Sequence, residues 1–150
     1  MNAGPMDILA PAQRSDLMSR IRGKNTKPEL AVRRAAHALG FRFRLHRRDL
    51  PGCPDLVFPR LGKVVFVHGC YWHRHPRCRY AYSPKSNVKF WQEKFSANVA
   101  RDRLAIRELK KHGWRVLVIW ECETADAGAL ERRLVTYLAN GNGRRKSDGA

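Results

Sequence analysis

The chain has 150 residues, 43% of them hydrophobic and 29% charged, enough for one globular domain with a core of its own. Thirty Lys and Arg against thirteen Asp and Glu leave a net charge of +17, which calls for a polyanionic partner, nucleic acid before any other. A membrane is the poorer match, because no segment approaches the roughly 20 apolar residues of a spanning helix and the cations are spread along the whole chain.

Residues 1–14 carry two prolines and no clear period and read as a flexible arm. Ser15 can cap a short helix with Leu17, Met18 and Ile21 on one side, stopped near Gly23. Thr26-Lys27-Pro28-Glu29 has the form of a capping box, and the helix behind it runs through Leu30, Ala31, Ala35, Ala38 and Leu39 to a stop at Gly40. Phe41 to His46 alternates apolar and basic residues, as a strand with one wet face does. Leu50 to Pro54 is a turn, Asp55 to Phe58 a short strand, and Val64 to Val67 a buried one.

A basic stretch from Arg79 to Lys89 leads to a long helix from about Phe90 to Lys111. Phe95, Val99, Ile106 and Leu109 form its inward stripe, with Asp102 on the same stripe. Trp114 to Trp120 is the most apolar strand and is expected at the centre of the sheet. A last helix covers about Ala129 to Leu138, and residues 140–150 form a basic tail expected to be disordered. Residues 15–139 thus make a single α/β domain, three layers deep (α/β/α) around a mixed sheet.

Everything is organised around Phe66 to Cys78, which follows directly on a buried strand. It holds three histidines and two of the four cysteines. Four cysteines are too few for a disulfide-built scaffold, and no signal peptide is expected at the start. Thiols beside imidazoles in a reducing cytoplasm favour zinc. Cys70, His75 and Cys78 are spaced so that one loop can wrap an ion, with Cys122 as the natural fourth ligand. His73 could replace His75, and spacing does not decide between them; the alternative is four unconnected thiols. Cys53 reads as structural.

Asp55, at a strand mouth, can hold Mg²⁺ for phosphodiester hydrolysis or simply be a turn aspartate after a proline. Asp102 on an inward helix stripe needs a partner, since burying it alone is costly; that partner is a metal-site group or a neighbouring arginine. His73 suits a general base near neutrality. Glu29 is accounted for by the capping box, and His68 either contacts a phosphate or supports the loop. Tyr71, Trp72 and Trp91, ringed by Arg74, Arg77, Arg79 and Lys89, suit stacking on or insertion between bases. Ordinary core packing is the competing account of those rings.

At these residues the sequence resembles the very short patch repair endonucleases, relatives of restriction endonucleases that nick DNA at T·G mispairs. The resemblance runs from about Ser15 to Leu138. It is carried by Leu50 to Asp55, Phe66 to His73, Phe90-Trp91, Asn98 to Arg103, and Gly113 to Cys122. It implies a restriction-endonuclease-like fold, with Asp55 and the backbone carbonyl of Val67 as Mg²⁺ ligands. His73 would be the base that prepares water, Asp102 its orienting partner, and Glu29 a support for the hydrated metal, with one or two Mg²⁺ ions acting. Structural zinc would take Cys70, His75, Cys78 and Cys122. Tyr71, Trp72 and Trp91 would wedge the duplex open, with Met18 inserting from the other side and His68 and Arg74 contacting DNA.

The resemblance also implies cleavage 5′ to a thymine mispaired after 5-methylcytosine deamination. A cytosine-5 methyltransferase would be functionally linked, mismatch-repair scaffold proteins would be partners, and a cytoplasmic, nucleoid-associated monomer would do the work. Some positions depart from the family pattern. Cys78 stands one residue late, Tyr71 replaces phenylalanine, Val67 stands where threonine can occur, and no second acid and lysine follow Pro54-Asp55. Two rivals remain: a restriction or mobile-element nuclease that cuts paired DNA, and a non-catalytic zinc-stabilised DNA-binding module.

Overall fold

The computed structural model describes residues 26–139. The arm, the helix expected from Ser15 to Gly23, Met18 and the basic tail lie outside the described residues. The elements in order are α1 (Lys27–Ala38), β1 (Arg44–Leu45), β2 (Leu56–Phe58), β3 (Lys63–His68), α2 (Val88–Lys111), β4 (Arg115–Trp120), a 3-10 turn (Glu121–Thr124) and α3 (Ala127–Ala139). No described helix is long and apolar enough to cross a membrane.

The four strands form one sheet in the order β1-β2-β3-β4. β1–β2 and β2–β3 are antiparallel, and β3–β4 is parallel. The pleat sends alternate residues to opposite faces, and the core divides accordingly. Leu56, Phe58, Val65 and Ile119 face Val32, Ala35 and Ala36 of α1 and Leu130, Leu134 and Leu138 of α3. Val57, Val64 and Phe66 face Leu109 and Ile106 of α2. Helices therefore cover both faces of a mixed sheet, as the pattern of elements predicts.

The strand expected at the centre is a correction. β4 pairs only with β3 among the described residues, so it is an edge strand, and β3 is an inner one. Val116, Leu117, Val118 and Ile119 are apolar because both faces of β4 are covered by helices; burial of faces says nothing about neighbours along the hydrogen-bonding direction. The alternation from Phe41 is real but short. Phe41 and Phe43 pack on the core while Arg42 and Arg44 are exposed, and the strand ends where His46 takes a positive φ of 47°.

Local chemistry sets the boundaries. Thr26 caps α1 by accepting the Glu29 N–H at 3.3 Å, and Gly40, at φ +89°, ends it without the cost a Cβ would carry there. The long helix begins two residues earlier than expected, at Val88, and α3 begins at Ala127, where Asp126 accepts the Ala129 N–H at 3.1 Å. Lys63 opens β3 almost fully buried and donates to the Tyr137 carbonyl at 2.5 Å, an end-of-helix oxygen that favours a cation.

Candidate active site and metal centre

Three strand ends meet at one end of the sheet. β2 begins there, and β3 and β4 finish there. Register brings His46 opposite Asp55, since Leu45 pairs with Leu56, and the His46 N–H donates to the Asp55 carbonyl at 3.3 Å. The Asp55 carboxylate accepts the Val67 N–H at 2.7 Å. Gly52 lets the preceding turn close onto α2: its φ is +74°, and a Cβ there would lie 2.6 Å from the Ala105 Cβ.

Burial, opposed by the Val67 N–H and reinforced by the Glu29 charge, pushes the Asp55 carboxyl up to about 7. Such a carboxyl is poised to lose its proton when a cation arrives. Glu29 is only 1% exposed. Its carboxylate accepts from Arg33 at 2.5 Å and from His46 Nε2 at 2.7 Å. Glu29 thus does more than the capping box demands, because its side chain lies beside Asp55. Ligand atoms of Glu29, His46 and Asp55 all fall within 4.8 Å of one another. Two carboxylates suit an oxygen-seeking ion such as Mg²⁺.

A second group faces the same space. His73 Nδ1 lies 2.7 Å from Asp102 Oδ2; an ionised carboxylate only accepts, so Nδ1 carries the proton and Nε2 is left able to take another. The His68 ring stacks on His73, centroids 3.9 Å apart and planes within 5°. Burial, then the neighbouring His73, lowers His68 to about 3, so it stays neutral and offers its ring face as a platform. Of the two roles considered for His68, support of the loop is the one this geometry favours. Asp55, Val67, His68, His73, Arg101 and Asp102 all line one cavity of about 320 Å³.

The third group is cysteine-rich. His75 Nδ1 lies 3.6 Å from Cys70 Sγ and 3.5 Å from Cys122 Sγ. With Cys78, these ligand atoms lie within 4.8 Å of one another. In a tetrahedral zinc site with bonds of ~2.3 Å to sulfur and ~2.0 Å to nitrogen, S···N separations come to roughly 3.5 Å, so the donor set fits zinc. Spacing left His73 and His75 interchangeable; in this geometry His75 lies with the thiols and His73 turns to Asp102. Burial raises the Cys70 thiol in the metal-free chain, and a bound cation would reverse that.

The rings form a cluster of their own. Tyr71 and Trp72 meet edge to face at 4.9 Å, and Trp91 lies 5.8 Å from Trp72 and 5.7 Å from the buried Phe95. All three of Tyr71, Trp72 and Trp91 stay half-exposed, so they are rooted in a small core and still open to a partner. Arg74 donates to three loop carbonyls. His46 and Arg33 were missed from the sequence; the antiparallel register opposite Asp55 is the signal that could have found His46, and the i, i+4 spacing from Glu29 the one for Arg33.

A cation-competent carboxylate beside an imidazole free to take a proton, on so basic a chain, is the equipment of a nuclease. Residues 6–79 match the family model described as DNA mismatch endonuclease Vsr. The chain is 54% identical over 132 residues to the type II nicking enzyme V.XorIIP of Xanthomonas oryzae pv. oryzae, covering 88% of this chain and 96% of that one. It is 41% identical over 128 residues to the type II nicking enzyme V.NmeAIP of Neisseria meningitidis serogroup A (85% and 91% covered). It is 40% identical over 137 residues to the DNA mismatch endonuclease Vsr of Escherichia coli K12 (88% and 87% covered). The chain belongs to the Vsr family and is a DNA endonuclease.

Proposed function

We propose that this protein nicks one DNA strand on the 5′ side of the thymine in a T·G mispair, leaving a 3′-hydroxyl and a 5′-phosphate. The observation that carries the reading is the shared cavity: Asp55 and the His73–Asp102 pair open onto one space. Asp55 and the Val67 carbonyl would hold Mg²⁺, with Glu29 supporting its hydration and one or two ions bound. When bound, the ion would supply charge stabilisation at the scissile phosphate and lower the pKa of water.

His73 Nε2 takes the proton from the attacking water as its oxygen bonds to phosphorus and the P–O3′ bond breaks, the departing 3′ oxygen taking a proton from solvent; Asp102 fixes the tautomer that makes this feasible. Cys70, His75, Cys78 and Cys122 would hold a structural zinc that clamps the loop. Tyr71, Trp72 and Trp91, with Met18 from the other side, wedge the duplex where a mispair makes unstacking cheap. Arg and Lys elsewhere bind backbone phosphates. The fold is read as restriction-endonuclease-like on the family resemblance. A cytosine-5 methyltransferase and mismatch-repair scaffold proteins are the functional associates that reading implies.

Nicking of matched T·G and T·A duplexes with Mg²⁺ tests the proposal. The T·G strand is cut and the T·A strand spared; equal cutting of both would establish a nuclease for paired DNA. In Asp55→Ala, nicking is lost while DNA binding remains, and a wild-type chain that nicks no duplex would leave only a binding module.

A further inference from the structure

We propose that Arg74 is a positioning residue that locks the aromatic wedge in shape before DNA arrives, and that it makes no phosphate contact; the job assigned to the wedge rests on the mismatch-nicking reading above. Its Nη1 donates to the Tyr71 carbonyl at 3.0 Å, and its Nη2 to the carbonyls of Ala81 and Tyr82 at 2.8 and 3.1 Å. The guanidinium also lies over the Phe95 ring at 4.0 Å and near the Tyr71 ring at 5.4 Å. The Tyr71 and Tyr82 rings meet at 4.9 Å. One planar group therefore joins both ends of the excursion from Tyr71 to Tyr82 and seats it on α2 through Phe95, which is 7% exposed.

Only a guanidinium can do this. Its rigid fork serves several carbonyls while its flat face lies on a ring, whereas an ammonium is a point charge without a plane. Three of its five N–H groups are committed, including both on Nη2, which leaves little to offer a phosphate. Arg77 is the natural comparison. It lies in the same loop at the same φ of 56° as Arg74, but it is exposed and makes no such bond among the described residues. A wedge held in one geometry beforehand avoids the ordering cost that a mobile one would meet at the mispair.

The test compares Arg74→Lys with Arg77→Lys in the full chain. Arg74→Lys keeps the charge, so the salt slope of binding to a T·G duplex stays as in the wild type. Single-turnover nicking falls about tenfold, within the range that a misplaced group costs, and 2-aminopurine beside the mispair brightens less. Arg77→Lys, which breaks no such bond among the described residues, leaves tryptic cutting of the loop as in the wild type. Without DNA, trypsin cuts the 74–79 segment faster in Arg74→Lys, a readout of the clamp that needs no substrate. Unchanged proteolysis with unchanged nicking would overturn the proposal. So would Arg74→Ala lowering the salt slope by about one, as a lost phosphate contact does. Loss of bound metal from Arg74→Lys would overturn it too, because Arg74 would then serve the cysteine–histidine loop. A wild-type chain that opens no mispair while Arg74→Lys still loosens the loop would sink the function reading and leave the clamp standing.

Discussion

Asp55→Asn should stabilise the metal-free protein, and more so as pH rises. The carboxyl side chain is 15% exposed and ionises near 7 in the folded chain, against ~3.9 in an unfolded one. A folded value raised this way means stability is full below the unfolded value and is lost as pH climbs to the folded one. The whole penalty is on the order of 4 kcal/mol above pH 7, an upper figure because water entry relieves part of it. Roughly a third is already felt at pH 5, so the gap between variant and wild type widens by about 2–3 kcal/mol from pH 5 to pH 8. In melting temperature that is on the order of 10 °C for a chain of this size. The assay is thermal melting in magnesium-free buffer without chelator, which leaves the cysteine–histidine site alone. Titrations of groups far from Asp55 cancel in the difference between the two proteins. Mg²⁺ at pH 8 should raise the wild type and not Asp55→Asn. An equal gap at pH 5 and pH 8 would refute the reasoning.

Asp102→Asn should slow nicking by about 10²–10⁴, the worth of a positioned proton acceptor, with mispair affinity unchanged; single-turnover kinetics beside gel-shift titration reads both. Gly52→Ala adds a methyl 2.6 Å from the Ala105 Cβ at φ +74°, and chemical denaturation should show a loss of about 2 kcal/mol or more. Duplex binding should weaken steeply with salt, by orders of magnitude between about 50 and 200 mM if roughly 6–10 phosphates are contacted; a flat titration would contradict the basic-surface argument.

The parts of the site that sequence reached most directly are those whose partners are close along the chain. Cys70, His75 and Cys78 lie within one loop, so their spacing suggests a cluster although it leaves His73 and His75 interchangeable, and Cys122 had to be reached across 52 residues. Asp55 and Asp102 stood out because a carboxylate at a strand mouth or on an inward helix stripe needs a reason. His46 did not stand out. It sits at the end of an alternating run, and only the pairing of β1 with β2 delivers it to Glu29 and Asp55. Glu29 was obscured by a sufficient local explanation: the cap it belongs to does exist, yet its side chain points into the site. The misplacement of β4 has the same root. Apolarity reports which faces are covered, and strand order depends on contacts that no local window contains.

The parallel pairing of β3 with β4 links the cysteine–histidine cluster to the cavity that Asp55 and His73 line. His68 sits opposite Trp120, so two residues beyond each strand end come Cys70 and Cys122, held together by the Cys122 N–H donating to Cys70 Sγ at 3.4 Å. The same two strand ends carry the candidate active site: the Val67 N–H donates to the Asp55 carboxylate, and the His68 ring stacks on His73. His75 stacks on Trp120, centroids 4.3 Å apart, two residues along the chain from His73. The thiol cluster and the His73 imidazole, which is hydrogen-bonded to Asp102 on α2, thus share one short loop and the same two strand ends. In the mechanism proposed above, a metal clamp on these strand ends would help keep the His73 imidazole aimed, although Cys70, His75, Cys78 and Cys122 do not line the cavity.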